Sequence, residues 1–517
     1  MNNLLLDGNS LTIEDVYRCS MAPSTIRFTP LAKRRINASR RVVEEWVERG
    51  ETIYGVTTGF GEFSNIRISA QHIEELQENL IVSHSAGAGE PLPFEIVRAM
   101  GILRLNALAK GYSGIRLETM EFFRKVFNAG ITPIIPSKGS VGSSGDLAPL
   151  AHLVLALIGK GKVRYRGKVM DAKAALKTIG LKPWKLSAKE GLALVNGTQM
   201  MTAYGCLVVH EAMHLCKLAD IAASMSVEAL KGSDTAFDPR IHAVRPHDGQ
   251  RICAANLRKL MTRSEIRESH RYDDPRIQDA YSIRCIPQVH GASRDAVRYA
   301  CNVIATEVNS ATDNPLIFPG DGEEGELRAV SGGNFHGQGP AMWLDFLGIA
   351  IAEVAGIAER RIFRMLTPEL SHGLPAMLVP TSGLDSGLMM VQYTAAALVS
   401  DNKTLAHPDS VDSIPSCANQ EDHVSMGANA ARHTLEILEN VRSVLAIELL
   451  TAAQAIDLRP HGIDRLGLGT TRAYGTLRQH VAFLEHDRET ASDIQTLSRL
   501  IHRGELVDAV SQVVALA

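Results

Sequence analysis

The segment Gly139-Ser140-Val141-Gly142-Ser143-Ser144-Gly145-Asp146, followed by Leu147-Ala148-Pro149-Leu150, holds residue types able to do chemistry on the backbone itself. The plainest reading is a loop that opens a helix, with Asp146 as N-cap and Pro149 in the first turn. A phosphate cradle is a second reading, but the Gly-Lys-Ser/Thr ending such loops require is missing. The third is self-processing. In a sharp enough bend the amide nitrogen of Gly145 attacks the carbonyl carbon of Ser143, and glycine suits this because it lacks a Cβ and tolerates unusual backbone angles. Loss of one water closes a five-membered ring. Loss of the Ser144 hydroxyl as a second water leaves an exposed methylidene. The product, a 4-methylidene-imidazol-5-one, is a strong electrophile made without metal or external cofactor.

A second pattern points to different chemistry. His210-Glu211-Ala212-Met213-His214 fits H-E-x-x-H, which places two histidines on one helical face as zinc ligands, with Glu228 as a conceivable third. It fixes only three positions, and no further histidine follows at the extended spacing of metzincins. The preceding run, Met200 to Val209, reads as a core helix, in which histidines are packing residues more often than ligands. No metal is expected.

The glycine-rich segment resembles the signature of the aromatic amino acid ammonia-lyase and aminomutase family, Gly-Ser-Val-Gly-Ala-Ser-Gly-Asp-Leu. The resemblance runs through nearly the whole chain. It includes Tyr54-Gly55-Val56-Thr57-Thr58-Gly59-Phe60-Gly61, Ser83-His84-Ser85-Ala86-Gly87 and Leu194-Val195-Asn196-Gly197-Thr198. It continues in Gln278-Asp279-Ala280-Tyr281-Ser282-Ile283-Arg284, the block from Asn309 to Pro315, Gly333-Asn334-Phe335-His336-Gly337 and the block from Asn419 to Met426. One position departs: Ser143 stands where the family usually has alanine. It gives only a carbonyl carbon to the ring, so a small side chain should be tolerated there.

The resemblance implies roles. Ser143, Ser144 and Gly145 form the electrophile, and Tyr54 takes a β-proton from a substrate whose amine is bonded to it. A free phenol titrates near about 10, so positive charge and hydrogen bonds must favour the phenolate. Arg284 offers a guanidinium fork to the substrate carboxylate. Asn196 orients that carboxylate or the ring oxygen; Tyr281 and Gln278 line the pocket from a neighbouring subunit, and Phe335 lies beside the substrate ring. Gln420 and Glu421, with His84, bear on substrate choice. An imidazole and a carboxylate can pair the ring nitrogens of histidine, whereas a hydrocarbon ring would leave them unpaired. Histidine is therefore expected, giving trans-urocanate. Tyrosine elimination and a 2,3-aminomutase stay open, because Asn334-Phe335-His336-Gly337-Gln338 and Val56-Thr57-Thr58 are similar to tyrosine-acting members. A cytoplasmic homotetramer with shared active sites is implied.

The elements that must position these residues read mainly as helix. Leu344, Leu347, Ile351, Val354 and Ala358 recur at three- and four-residue spacing, as do Leu438, Val441, Leu445 and Glu448 in a segment near 431–455. The first is apolar nearly all round and must be covered on most sides, as in the centre of a bundle or at a subunit interface. Strand signals are few; the clearest is a small hairpin over 162–170 turning at Gly167. An acidic glycine-rich loop over 319–326 and a charged stretch over 263–279 stand out. The expectation is a mainly α protein: an N-terminal lobe of glycine-rich loops over 1–197 and a long-helix bundle over 198–517.

Composition agrees. The 517 residues are 45% hydrophobic and 21% charged with a formal net charge of −3, which gives no electrostatic reason for a nucleic-acid partner. Seven scattered cysteines never fall as C-x-x-C, arguing against a disulfide framework. The first twelve residues lack a basic stretch followed by an apolar core, so no signal peptide is read. The longest apolar run noted, 147–159, is too short to span a bilayer.

Overall fold

The computed structural model describes residues 2–272, 274–320, 328–381, 383–460 and 462–517. Helix dominates. The elements that matter for the site are α1 (Ile73–His84), α2 (Leu147–Leu155), α3 (Glu190–Val195), α4 (Gln199–Ala229), α5 (Ile286–Val308), α6 (Gln338–Leu366), α7 (Gly427–Asp457) and α8 (Leu468–Arg478). Strands are short. The expected hairpin forms as β2 (Lys162–Tyr165) and β3 (Lys168–Asp171), antiparallel, with β1 (Thr132–Pro133) on its other edge. Its alternation is the cause: Val163 and Tyr165 are buried while Lys162 and Arg164 face out.

The chain forms two compact units: one of residues 1–210, 301–345 and 408–432, the other of 211–300, 346–407 and 433–517. This differs from a single cut after residue 197. The boundary falls inside α4, α5, α6 and α7, so each long helix begins or ends in the first unit, and the blocks 309–315, 333–338 and 419–426 belong there.

α7 buries Leu438, Val441, Leu445 and Glu448 on one face, as the periodicity predicts. Glu448 is tolerated there because Arg361, equally buried, pairs with it at 2.5 and 3.0 Å and Ser226 donates at 2.7 Å. α6 is only partly covered within one chain. Leu347, Ile351, Val354 and Ala358 are buried, yet Met342, Phe346, Ile349 and Phe363 form a stripe 40–47% exposed. Covered on one flank only, it keeps an apolar face uncovered. By length and mean hydropathy, 1.7, α6 could cross a membrane, a longer candidate than residues 147–159; 56% of that window is buried within the chain. Of the acidic 319–326 loop, residues 321–326 lie outside the described residues. The charged 263–279 stretch holds a short helix, Glu265–Glu268, and three of its arginines are paired: Arg267 with Asp234, Arg271 with Asp234 and Glu268, and Arg276 with Asp274 and Asp279.

Candidate active site

The glycine-rich segment is bent and pinned. Gly145 has φ +74° and forms a parallel bridge with Gly197, whose carbonyl accepts from Asp146 N at 2.7 Å. A Cβ on Gly145 would sit 2.1 Å from the Gly197 oxygen, so only glycine fits. Among the described residues nothing accepts from the Gly145 N–H. Asp146 occupies the N-cap position of α2, but its carboxylate does not cap that helix. It accepts from Met200 N and Met201 N at 2.9 and 3.0 Å, capping α4 from outside. Burial pushes its carboxyl up to about 7 against those hydrogen bonds.

Ser144 lies at the centre of the polar contacts. Its carbonyl accepts from Asn196 Nδ2 at 3.0 Å, and its hydroxyl donates to Glu421 Oε1 at 3.0 Å. Asn196, just after α3, is 3% exposed, and its Oδ1 is buried without a hydrogen-bond partner among the described residues. Its backbone is fixed by Arg104, which donates to Asn196 O and Gln199 Oε1, both at 2.8 Å, and also to Ala193 O. Ser416 Oγ holds the second oxygen of Glu421 at 2.6 Å. Ser143 is buried, 7% exposed.

A cavity of about 1150 Å³ opens over this segment, within the first unit. Tyr54, His84, Ser143, Ser144, Asn196, Phe335, Gln420 and Glu421 all line it. Ser83 Oγ donates to Leu80 O at 3.2 Å and lies 3.0 Å from His84 Nδ1. Burial pushes His84 below its ordinary value, with Glu421 opposing.

One expectation is corrected. Positive charge does not favour the Tyr54 phenolate here. Burial pushes the phenol up, Cys417, Glu421 and Asp313 add to this, and a 3.4 Å hydrogen bond from Gly61 N opposes it. Gln278, Tyr281 and Arg284 are not among the residues lining the cavity of their own chain, and the expectation that a neighbouring subunit supplies them is not tested by a single chain; they belong to the second unit, where Tyr281 is 70% exposed and Arg284 stacks on it at 4.6 Å. No lysine or arginine is among the described residues lining the cavity. Arg104 and Ser416 were not singled out from sequence. Arg104 left a signal, a charge inside the apolar run from Met100 to Ala109, whereas Ser416 left none.

The H-E-x-x-H pattern dissolves into packing. Glu211 is held by Arg442 and His502, and His210 pairs with Glu14 at 2.9 Å and stacks on Tyr17. Glu228 lies on α4 fourteen residues beyond His214, about 21 Å along the axis, and accepts instead from Gly467 N at 2.8 Å.

A mostly helical chain with a pinned Ser-Ser-Gly turn under a cavity holding a phenol, an imidazole and a carboxylate describes one class of enzyme. The aromatic amino acid lyase family model matches residues 11–479, and the chain belongs to that family. Histidine ammonia-lyase of Alkaliphilus oremlandii is 52% identical over 516 residues, covering 100% of both chains. Among solved structures, histidine ammonia-lyase from Trypanosoma cruzi superposes with TM-score 0.90 at 45% identity, covering 99% of this chain and 96% of that one. Tyrosine aminomutase from Streptomyces globisporus gives TM-score 0.93 at 38% identity, covering 100% and 99%.

Proposed function

We propose that this chain eliminates ammonia from L-histidine to give trans-urocanate, using an electrophile matured from Ser143, Ser144 and Gly145. The observation that carries the substrate is the meeting of His84 and Glu421 in the cavity over Ser144. His84 and Glu421 offer an imidazole and a carboxylate to the two ring nitrogens of histidine, partners that a hydrocarbon ring would leave unpaired. Relatives named for histidine support the same choice.

The residues fit the methylidene-imidazolone. Gly145 is pinned where a Cβ has no room, its nitrogen is unengaged, and Asn196 reaches the Ser144 carbonyl. When formed, the group supplies an electrophile that turns the substrate amine into a better leaving group. The remaining work falls to side chains. Tyr54 removes the β-proton, steadied by Gly61 N–H. Phe335 packs beside the ring. Arg284 clamps the carboxylate, with Tyr281 and Gln278 beside it, delivered by another copy in a homotetramer with shared sites.

Incubation with histidine and tyrosine separately tests this by the ultraviolet band of each conjugated product. Urocanate is expected, and coumarate without urocanate overturns the substrate. Tyrosine elimination or a 2,3-aminomutase is the second reading, favoured by the tyrosine aminomutase likeness; release of a β-amino acid would establish the mutase. An intact mass showing no lost water, with no activity, removes the enzyme reading altogether.

A further inference from the structure

Glu421 faces the substrate space, yet what it touches is the hydroxyl that maturation must expel. Ser144 Oγ lies 3.0 Å from Glu421 Oε1. The carboxylate is aimed from behind: Ser416 Oγ holds Oε2 at 2.6 Å, and Ser416 N donates to Glu421 O at 2.9 Å across a tight turn. The hydrogen-bond partner of Ser144 on its other side, Asn196 Nδ2, is on the carbonyl.

We propose that Glu421 catalyses the chain's own maturation by carrying a proton from Ser144 Cα to Ser144 Oγ. This rests on the reading that residues 143–145 cyclise. Glu421 takes the Cα proton, and the C–H electron pair becomes the Cα–Cβ double bond. The Cβ–Oγ bond breaks with its pair on oxygen, Glu421 returns the proton, and water leaves. The carboxylate ends as it began, and no oxidant, reductant or co-reactant is consumed. One carboxylate can serve both atoms because Cα and Oγ are two bonds apart. Asn196 assists by stabilising negative charge on the Ser144 carbonyl as the Cα proton departs. The other water comes from ring closure between Gly145 N and the Ser143 carbonyl, which Glu421 does not touch. Once Oγ is gone, Oε1 loses this partner and becomes available to substrate, so the two roles of Glu421 follow one another.

Intact mass of the full chain, followed in time after cell-free synthesis, tests this on wild type, E421Q, E421D and S416A, with circular dichroism to confirm folding. Wild type is expected to lose two waters. E421Q should lose one, with the second loss slowed about 100-fold or more, E421D should recover part of that loss, and S416A should be slowed less. Loss of both waters by E421Q at the wild-type rate overturns the proposal, and so does loss of neither by a folded E421Q. If E421Q does not fold, S416A decides, and maturation at the wild-type rate counts against the proposal. A wild-type chain that keeps both waters would instead sink the functional reading.

Discussion

A phenol pushed up by burial and by acidic neighbours is a poor base at neutral pH, and this fixes how Tyr54 should behave. Its phenolate fraction grows tenfold per pH unit below its own pKa, so the rate should climb on the alkaline side and the ascending limb should belong to Tyr54. Y54F should cost about 10²- to 10⁴-fold in kcat and flatten that limb; a pH–rate profile unchanged in shape would remove Tyr54 as the base. Gly145 is equally exacting. G145A forces a Cβ to 2.1 Å from Gly197 O, so the bend must open, and the intact mass should show neither water lost. The cavity-lining residues of the first unit were legible because each sits in a short block of unusual types: Tyr54 among glycines, His84 after a serine, Glu421 between Gln420 and Asp422. Their electrical surroundings were not. The charge Tyr54 meets depends on Cys417, Glu421 and Asp313, more than 250 positions away along the chain.

At the scale of elements, periodicity foretold α6 and α7, since an apolar face needs only local spacing to be visible. Caps supplied from elsewhere leave no such trace. Asp146 caps α4 across fifty-odd positions, and Glu228, at the other end of α4, accepts from Gly467 just before α8. The H-E-x-x-H pattern misleads for the same reason: the partners of Glu211 come from Arg442 and His502, far along the chain. Glu228 makes a prediction about stability. Burial raises its carboxyl to about 7, above the ordinary 4.5, so the folded state holds a proton that the unfolded chain releases. The favourable contribution is full below about 4.5 and is lost as pH rises through about 7. The shift corresponds to roughly 3 kcal/mol between those limits. E228Q keeps an acceptor for Gly467 N and cannot ionise, so its melting temperature should vary less than wild type between pH 5 and 8. Parallel melting curves would show that Glu228 is not the titrating group.

At the scale of the whole molecule, the charge balance of the cavity bears on how the site is assembled. The cavity in the first unit contains Glu62, Glu421 and Asp422 and no lysine or arginine among its described lining residues. An amino acid substrate brings a carboxylate that would meet only like charge there. A desolvated carboxylate without a cation is costly to bind. Arg284, the residue proposed for that carboxylate, lies in the second unit, and its Nε is buried without a hydrogen-bond partner among the described residues. The exposed stripe of Met342, Phe346, Ile349 and Phe363 on α6 is the kind of apolar face that self-association covers. Both observations agree with a site assembled from more than one copy, and mixing inactive chains separates that arrangement from a site built within one. Y54F and R284A should each be nearly inactive alone. Co-expressed, they form hybrids in which about a quarter of sites carry both intact residues if Tyr54 and Arg284 of a site come from different chains. Activity should then return toward that fraction of wild type in the co-purified hybrid, which differently tagged chains make recoverable. A hybrid as inactive as its parents would place Tyr54 and Arg284 in the same site on the same chain, and the cation facing the substrate carboxylate would have to be found within it.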